Sequence, residues 1–367
     1  MEAKYDFEKK YRKQILQCSR CGYCQAVCPV YGATQRPSFN ARGKMLILKE
    51  IMDNKIELND ELIDTLFQCT TCAACHQNCP SGVNVPEIIK QVRKDMVHIG
   101  SCHPAFTGMN DVLKKHTNIY AEDEPEDFDR ERNQQADYVY FIGCVGQYRE
   151  DEATEATLDL LDRLKVNYTL IDEVCCTGVL EDVGHKLNAD YAQKNIETIL
   201  ATGAKTIITG CPSCYRTFKN KVEYAGLQEK GISLVHISQF LTSFDLGVTT
   251  DLKVTYHDPC DLGRHCGIYE EPRDTIRKIA PNFVEMAHNH ATSLCCGSGG
   301  GARGAFAKNS VAMAKNRLDE ALAIGADVLL TECNSCVHNL ANAKVRADKI
   351  RICNTTEFIN ELMEDAE

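Results

Sequence analysis

The sequence has no long apolar run, no excess of basic residues and no visible targeting segment. No stretch of the 367 residues approaches the roughly 18 apolar residues that span a bilayer. The 41 Lys and Arg residues are outnumbered by 52 Asp and Glu, and the net charge of −11 excludes a non-specific nucleic-acid binder. The first 13 residues are highly charged, unlike a signal peptide. We therefore expect a cytoplasmic protein whose membrane association, if any, is made through a partner protein.

Cysteine is the residue type that the sequence has in excess, with 21 copies. A secreted disulfide scaffold is the ordinary explanation for many cysteines. Such scaffolds are usually short, however, and an odd number of cysteines cannot pair completely. In a reducing compartment the thiols stay free to bind metal. We therefore interpret most of these cysteines as metal ligands.

The N-terminal part contains two copies of one pattern, C-x2-C-x2-C-x3-C-P. This spacing is typical of paired [4Fe–4S] clusters, in which three cysteines of one run bind one cubane and the fourth binds the other. A zinc ribbon would show C-x2-C pairs separated by a long gap instead. We predict two cubane clusters, one held by Cys18, Cys21, Cys24 and Cys79 and the other by Cys69, Cys72, Cys75 and Cys28.

Ten further cysteines form two matching sets. Each set has one cysteine, an adjacent pair thirty-odd residues later, and a C-x2-C motif after thirty-odd more. The sets are Cys144, Cys175, Cys176, Cys211 and Cys214, and Cys260, Cys295, Cys296, Cys333 and Cys336. An ordinary cubane takes four thiolates. Either one cysteine of each set is a spectator, or the cluster is of an unusual type. The cysteines outside both systems, which we interpret as small buried hydrophobic residues, are Cys102, Cys266 and Cys353.

The C-terminal part repeats itself. Residues 192–214 align without a gap with residues 314–336, and each copy has a helical stretch, a Gly-Ala turn, a short strand (206–209 and 328–331) and a C-x-S-C loop. We predict an α+β multidomain protein. Its parts are an α-helical ferredoxin domain (1–118), an exposed acidic linker (119–137) and two duplicated α/β domains (138–247 and 248–367) related by a pseudo-two-fold axis. The cluster loops should lie at the carboxyl ends of the strands.

A glycine run follows the second adjacent cysteine pair. Glycines allow a sharp bend and a close approach of backbone N–H groups to cluster sulfides. The predicted cofactor-binding glycines are Gly297, Gly299 and Gly300. Residues 297–302 also match G-x-G-x-x-A, but the strand context and the acidic residue of a dinucleotide-binding motif are not clear. The first pair has no such run and continues with Thr177 and Gly178.

Together these motifs resemble a known family, heterodisulfide reductase. The five-cysteine sets are similar to the CCG domains of its B-type component, and their order after a helical ferredoxin domain resembles its D-type component, in which the ferredoxin and CCG parts are fused. The iron–sulfur subunits of glycolate oxidase and anaerobic glycerol-3-phosphate dehydrogenase have the same order. The resemblance extends over residues 14–355.

The resemblance implies that each five-cysteine set holds a noncubane [4Fe–4S] cluster. All ten cysteines would then be catalytic, and the two clusters would jointly reduce the coenzyme M–coenzyme B heterodisulfide or a similar small disulfide. The alternative is an electron-transfer subunit of a flavin-dependent 2-hydroxy-acid (glycolate or lactate) or glycerol-3-phosphate dehydrogenase. No flavin domain is visible in the sequence. We therefore expect a hetero-oligomeric complex with a flavoprotein or a cytochrome b as electron donor, and no nucleic-acid partner.

Several basic residues lie near the cysteine motifs and are candidates for binding the sulfonate or phosphate groups of such a substrate. They are His257, Arg264, His265, Arg303 and His338. A solvated or structural role is the simpler interpretation of each one.

Overall fold

The computed structural model describes residues 4–366, and its N-terminal part is helical. The helices up to residue 118 are α1 Asp6–Gln17, α2 Tyr23–Ala26, α3 Pro29–Thr34, α4 Ala41–Met52, α5 Ile63–Phe67, α6 Ala74–Gln77, α7 Val85–His98 and α8 Met109–His116. Short 3-10 turns lie at Pro37–Phe39, Asp60–Leu62 and Pro104–Phe106. Across residues 4–366, no helix is both long and apolar enough to cross a membrane.

Helix α7 shows why this part folds as a helical domain. Its apolar residues recur three and four positions apart, which places them on one face of the helix. These residues, all buried, are Val85, Ile88, Ile89, Val92 and Met96. The Asn84 side chain caps the helix by accepting a hydrogen bond from the Glu87 N–H. The apolar face packs with α1 and α4 into the core of the ferredoxin domain.

The first CCG domain is built on a four-stranded parallel sheet. Its elements are β1 Tyr138–Phe141, α9 Cys144–Tyr148, α10 Asp151–Arg163, β2 Tyr168–Thr169, α11 Gly178–Asp182, α12 Ala189–Ala201, β3 Thr206–Thr209, α13 Pro212–Asn220, α14 Ala225–Glu229, β4 Ser233–His236 and α15 Ile237–Phe240. The strand order is β2-β1-β3-β4. Turns of 3-10 helix lie at Val222–Tyr224 and Leu241–Ser243.

The second CCG domain repeats this plan with three parallel strands. Its elements are β5 Val254–His257, α16 Glu270–Ile279, a 3-10 turn His290–Thr292, α17 Ala302–Ala305, α18 Ala307–Ala323, β6 Val328–Thr331, α19 Asn334–Ala343, β7 Arg351–Asn354 and α20 Thr355–Glu364. The order is β5-β6-β7, which corresponds to β1-β3-β4 of the first domain. The two strands predicted at 206–209 and 328–331 are β3 and β6.

The packing of the two CCG domains is reciprocal. Helix α10 of the first domain lies against α20 of the second, and α16 of the second lies against α15 of the first. Both sheets contribute to one hydrophobic core, which includes Tyr140 and Ile208 from the first domain and Tyr256 and Leu330 from the second. This exchange is what a pseudo-two-fold axis between the copies produces. The predicted fold class, a helical ferredoxin domain followed by two duplicated α/β domains, is confirmed.

The segment between the ferredoxin domain and β1 has neither helix nor strand. Residues 119–137 are mostly exposed, as expected for an acidic linker. The segment is nevertheless anchored, because Phe128 is buried in the shared core and Arg132 forms a β-bridge with Leu170. The exact domain boundaries, 1–118, 119–137, 138–247 and 248–367, remain a prediction.

The cysteine loops emerge from the carboxyl ends of the strands. Cys144 and Cys211 follow β1 and β3, and Cys260 and Cys333 follow β5 and β6 at equivalent positions. Parallel strands place these ends at one edge of a sheet, where ligand sites of α/β proteins usually form. The backbone topology alone therefore brings the first cysteine and the C-x2-C motif of each five-cysteine set to the same edge of a sheet.

Candidate metal centres

The structure groups the N-terminal cysteines into two clusters of four thiols. The group that we name the distal site consists of Cys18, Cys21, Cys24 and Cys79, which line one cavity. Burial, reinforced by the thiolates of Cys18, Cys21 and Cys79, raises the pKa of Cys24. Arg42 also lines this cavity. Cys21 is exposed, so the distal site reaches the surface of the molecule.

The second group, the proximal site, is more deeply buried. It consists of Cys28, Cys69, Cys72 and Cys75, which line a cavity together with Lys44 and Thr70. In both groups the fourth cysteine of one run therefore lies with the first three of the other. Burial raises the pKa of Cys28 to about 11. Lys44 is 1% exposed, so its amine lies inside the protein beside these thiols, and burial lowers its pKa.

The thiols of the second five-cysteine set converge on one point, which we name the second CCG site. The Sγ atoms of Cys296 and Cys336 are 3.1 Å apart. Hydrogen bonds to Cys260, Cys296 and Cys72 raise the pKa of Cys295, and hydrogen bonds to Cys296 and Cys333 raise that of Cys336. These contacts link all five members of the set into one group. All five cysteines that the sequence assigns to this set therefore lie at the site.

The first five-cysteine set forms an equivalent first CCG site. The Sγ atoms of Cys176 and Cys214 are 3.3 Å apart, and hydrogen bonds to Cys144 and Cys176 raise the pKa of Cys175. Hydrogen bonds to Cys176 and Cys211 raise the pKa of Cys214. These contacts link Cys144, Cys175, Cys176, Cys211 and Cys214 into one group.

The backbone after each adjacent cysteine pair turns in the same way. The N–H of Thr177 points at the Sγ of Cys175 at 3.3 Å, and the N–H of Gly297 points at that of Cys295 at 3.4 Å. Both residues have positive φ, +59° for Thr177 and +86° for Gly297. A β-branched residue rarely adopts this conformation. The first site therefore keeps the turn without the glycine.

The remaining glycines of the run have a different environment from the one expected. A Cβ atom on Gly299 would lie 2.9 Å from the Thr70 carbonyl oxygen, and one on Gly300 would lie 2.5 Å from that of Cys69. The glycines thus let the second CCG domain lie directly on the loop of the proximal site. A role of Gly297, Gly299 and Gly300 in holding a cofactor stays a prediction, and of the three N–H groups we find a hydrogen bond to a cysteine sulfur for Gly297.

The proximal site and the second CCG site are in direct contact. A hydrogen bond from the Cys295 thiol lowers the pKa of Cys72, and the Cys295 Sγ is 3.8 Å from the Thr70 hydroxyl. Arg264, which is 8% exposed, donates to the carbonyls of Cys72 and Ser293, both at 2.6 Å. Among the described residues the second terminal nitrogen of Arg264 has no partner.

That unpartnered guanidinium nitrogen supports the presence of an anionic group between the two sites. Burial alone would lower the pKa of Arg264, but the thiolates of Cys72, Cys260 and Cys295 raise it. Sets of four and five thiols without competing oxygen ligands are the donor sets that iron–sulfur clusters require. The residues present therefore fit such clusters.

Arg93 connects all three domains at this junction. Its side chain is fully buried and donates to the carbonyls of Leu66, Phe67 and Cys69 in the ferredoxin domain. It also donates to the carbonyl of Asp182 in α11 and to that of Gly300 in the glycine run. One guanidinium therefore fixes the loop of the proximal site relative to both CCG domains. Arg93 could not be predicted from the sequence, because nothing distinguishes it there from an ordinary arginine on an amphipathic helix.

His257, at the end of β5, lies against the second CCG site. A ring nitrogen of His257 and the sulfurs of Cys296 and Cys336 lie within 4.8 Å of one another. The Nε–H of Arg317 donates to Nδ1 of His257 at 3.1 Å. An arginine is always protonated and only donates, so Nδ1 of His257 accepts this hydrogen bond and carries no proton. Burial lowers the pKa of the ring. The single ring proton is therefore on Nε2, which makes His257 a hydrogen-bond donor to Cys296 and not a metal ligand.

The two CCG sites differ at this position. Phe141 ends β1 where His257 ends β5, three residues before the first cysteine of each set. Only the second site therefore receives this hydrogen bond. Hydrogen bonds to cluster sulfurs are one of the main determinants of reduction potential.

Two carboxyl groups, the half-buried Glu173 and the buried Glu332, adjoin the CCG sites and were not found from the sequence. Glu173 accepts hydrogen bonds from the N–H groups of Ile142 and Gly143, and burial raises its pKa to about 8. Burial raises the pKa of Glu332 to about 7. An acidic residue directly after a buried strand and directly before a cysteine, as at Glu332-Cys333, is the signal that could have indicated Glu332.

The other candidates have structural partners. His265 contacts the carbonyl of Thr71 at 2.9 Å, and His338 pairs with Glu150 at 2.7 Å. Arg303 donates to the Tyr120 hydroxyl at 3.0 Å, and one of its terminal nitrogens is buried without a partner among residues 4–366. Of the cysteines outside the sites, Cys353 lies in the shared core, whereas Cys102 and Cys266 are half-buried.

Comparisons with known proteins agree with this arrangement. Residues 14–83 match the 4Fe-4S dicluster domain, and residues 138–219 and 254–341 match the cysteine-rich CCG domain. A crystal structure of a hypothetical protein from Helicobacter pylori has a TM-score of 0.62 and covers 97% of this chain and 76% of that one. At 12% identity this similarity shows the fold alone.

The relatives in sequence include oxidoreductases and their subunits. The D-type component of dihydromethanophenazine:CoB–CoM heterodisulfide reductase from Methanosarcina acetivorans is 31% identical, over 90% of this chain and 89% of the relative. EtfAB:quinone oxidoreductase from Syntrophomonas wolfei is 24% identical, over 94% of this chain and 57% of the relative. The chain therefore belongs to the family of D-type heterodisulfide reductase components and is an iron–sulfur electron-transfer subunit of that type.

Proposed function

We propose that this chain passes electrons from the distal site through the proximal site to the two CCG sites, and that the CCG sites together reduce a small disulfide. In this proposal the distal and proximal sites hold [4Fe–4S] cubanes and each CCG site holds a noncubane [4Fe–4S] cluster. When bound, these clusters supply electrons one at a time and iron atoms with an affinity for thiolate sulfur. A coenzyme M–coenzyme B heterodisulfide or a similar disulfide is the substrate.

The observation that carries the proposal is the placement of two five-thiol sites next to each other. Burial and, across the domain boundary, the Cys211 thiolate raise the pKa of Cys333. A hydrogen bond of 2.7 Å between Glu150 and His338 also joins the two domains. Reduction of a disulfide to two thiols takes two electrons and two protons. Two adjacent one-electron centres meet that requirement, whereas one centre would leave the substrate half-reduced.

The order of the sites gives the electrons a direction of entry. The distal site reaches the surface at Cys21, and the proximal site touches the second CCG site through Cys72 and Cys295. Arg93 and Arg264 hold the loops of these sites together. The second CCG site is thus the first to be reduced.

Arg303 is the residue that we propose for binding an anionic group of the disulfide. It donates to the Tyr120 hydroxyl at 3.0 Å and belongs to the segment that follows Cys295 and Cys296 of the second CCG site. Its unpartnered terminal nitrogen is available to a carboxylate, sulfonate or phosphate oxygen.

The test is an anaerobic assay of disulfide reduction with reduced methyl viologen as electron donor. The wild-type holoprotein should release two thiols per heterodisulfide. Replacement of Cys295 or Cys175 by serine should reduce turnover at least about a hundredfold, because either change disrupts one member of the pair. Cys102→Ser, outside all four sites, is the matched control and should retain full turnover. Turnover that survives Cys175→Ser would contradict a joint role of the two sites.

A second function is favoured by the similarity to EtfAB:quinone oxidoreductase over 94% of this chain. In that case the CCG sites relay electrons from a flavoprotein without binding a disulfide. The partner that co-purifies with the chain distinguishes the two. A flavin-dependent 2-hydroxy-acid dehydrogenase would support the relay function, and a cytochrome b would support disulfide reduction.

A further inference from the structure

The two ends of the chain carry opposite charge. Residues 1–118 contain 16 Lys and Arg against 12 Asp and Glu, a net charge of +4. The rest of the chain contains 25 Lys and Arg against 40 Asp and Glu, a net charge of −15. The overall charge of −11 is therefore the sum of a net positive ferredoxin domain and a strongly negative remainder of the chain. Such a separation of charge orients a charged partner before contact.

The positive charge borders the one cluster site that reaches the surface. Cys21 is the only exposed cysteine among residues 4–366. Arg20 lines the distal cavity, and Arg12 and Lys13 lie on α1, the helix that leads into Cys18. All three side chains are exposed, and within the described part of the chain none of them forms a salt bridge. Arg42 lines the distal cavity. We name these four cations, Arg12, Lys13, Arg20 and Arg42, the basic rim.

Exposed apolar side chains lie within the same surface. Tyr23 is 60% exposed and Leu16 is 50% exposed. A shallow groove beside Cys18 is lined by Leu16, Arg20, Leu46 and Lys49. Lys49 is paired with Asp53, so its charge is already compensated within the chain. A few apolar contacts inside a ring of unpaired charge are typical of small, transient interfaces between redox proteins.

We propose that the basic rim is the docking surface for a small acidic one-electron carrier protein, which delivers electrons to the distal site. This inference rests on the proposed electron-transfer function and adds the chemistry of the donor. The net positive ferredoxin domain attracts the acidic carrier, and the net charge of −15 on residues 119–367 repels it from the CCG domains. In each encounter one electron leaves the reduced centre of the carrier and reduces the distal centre, and no bond is formed or broken.

The experiment measures how fast an acidic carrier reduces the oxidised holoprotein. The probe is a reduced plant-type [2Fe–2S] ferredoxin, mixed anaerobically in a stopped-flow instrument at increasing ionic strength. For the wild type, the second-order rate constant should fall steeply with salt, because the attraction is screened over about 10 Å at 0.1 M. The double variant Lys13→Glu/Arg20→Glu should react at least about tenfold more slowly at low salt.

A matched control separates local from overall charge. Lys230→Glu makes the same kind of change at an exposed lysine of the first CCG domain, and it should alter the rate less than about twofold. The iron content and the reduction by dithionite should be the same in all variants. If dithionite fails to bleach the wild-type protein, the clusters of the proposed function are absent. The proposed function and the docking proposal would then both be refuted.

Three results would refute the proposed docking of an acidic carrier while leaving the proposed function intact. One is a rate constant that does not depend on salt, and another is a double variant as fast as the wild type. The third is sedimentation of the wild type, but not of the double variant, with phosphatidylglycerol–phosphatidylcholine vesicles while both react equally with ferredoxin. The basic rim would then be a membrane-binding surface.

Discussion

At the scale of single residues, the protonation of His257 decides how the two CCG sites differ. Arg317 donates to Nδ1 and leaves the proton on Nε2, which faces Cys296. Phe141 occupies the equivalent position at the first site. A donor near a cluster sulfur stabilises the reduced, more negative state. At the first site the Thr217 side chain hydrogen-bonds to Cys176 instead, so the two CCG centres should have different reduction potentials.

We expect His257→Phe, which copies the residue of the first site, to lower the potential of the second CCG centre. Loss of one hydrogen bond to a charged sulfur is worth about 1–2 kcal/mol, which corresponds to roughly 50–90 mV for one electron. A redox titration followed by EPR measures the shift. Thr331→Val is the control, because Thr331 pairs with His257 in the sheet and its buried hydroxyl has no partner in the described residues. An unchanged potential in His257→Phe would mean that the ring does not reach the cluster.

Residue patterns indicated the cysteines well and their surroundings poorly. The C-x2-C-x2-C-x3-C-P runs and the two five-cysteine sets name each thiol that lies at the four sites. Arg93, Arg317 and Glu173 act through contacts made by residues far away in the chain, so no local spacing indicates them. His257 and Arg264 were recognised as neighbours of Cys260, but the structure shows which atoms they face.

At the scale of elements, the duplication provides matched helix starts. His236 caps α15 after β4, and Asn354 precedes α20 after β7 at the equivalent position. The His236 side chain accepts from the N–H of Ser238, and its Nε2 is buried without a partner among the described residues. Burial lowers the pKa of His236 to about 3. The folded protein therefore holds a neutral imidazole that the unfolded chain protonates near pH 6.5.

The buried His236 makes the stability of the folded protein depend on pH. Because the pKa of His236 is lower in the folded state, its contribution to stability is complete above the unfolded pKa and is lost as the pH falls toward the folded one. Between about pH 6.5 and 5.0 this loss is about 2 kcal/mol. We expect His236→Asn, which copies Asn354, to remove this part of the acid sensitivity. Urea unfolding of both proteins at the two pH values measures the difference, and parallel losses in the two proteins would refute the assignment.

Strands and helices were predictable where the duplication constrained them. The alignment of residues 192–214 with 314–336 predicts β3 and β6 at their observed positions, because the same apolar run precedes the same C-x-S-C loop twice. The exchange of α10, α15, α16 and α20 across the pseudo-two-fold axis was not predictable. Amphipathic helices show that they have a buried face, but not which partner covers it.

At the scale of the whole molecule, Arg93 holds the ferredoxin domain against both CCG domains. We expect Arg93→Met to lower the midpoint of thermal unfolding by roughly 5–10 °C, because five buried carbonyl groups lose a charged donor. Anaerobic calorimetry measures the shift. Arg346→Met, at an exposed arginine, is the control and should leave the midpoint within about 1 °C. Equal midpoints for Arg93→Met and the wild type would show that the three domains do not depend on this junction.

The central claim is that all four thiol groups hold clusters, and iron and acid-labile sulfide per anaerobically purified chain test it most directly. Four [4Fe–4S] clusters correspond to about 16 irons. Cys175→Ser and Cys295→Ser should each lower that number by about four while the cubane signals in EPR stay unchanged. About eight irons in the wild type, with no change in either variant, would contradict the account, because the CCG sites would then hold no clusters.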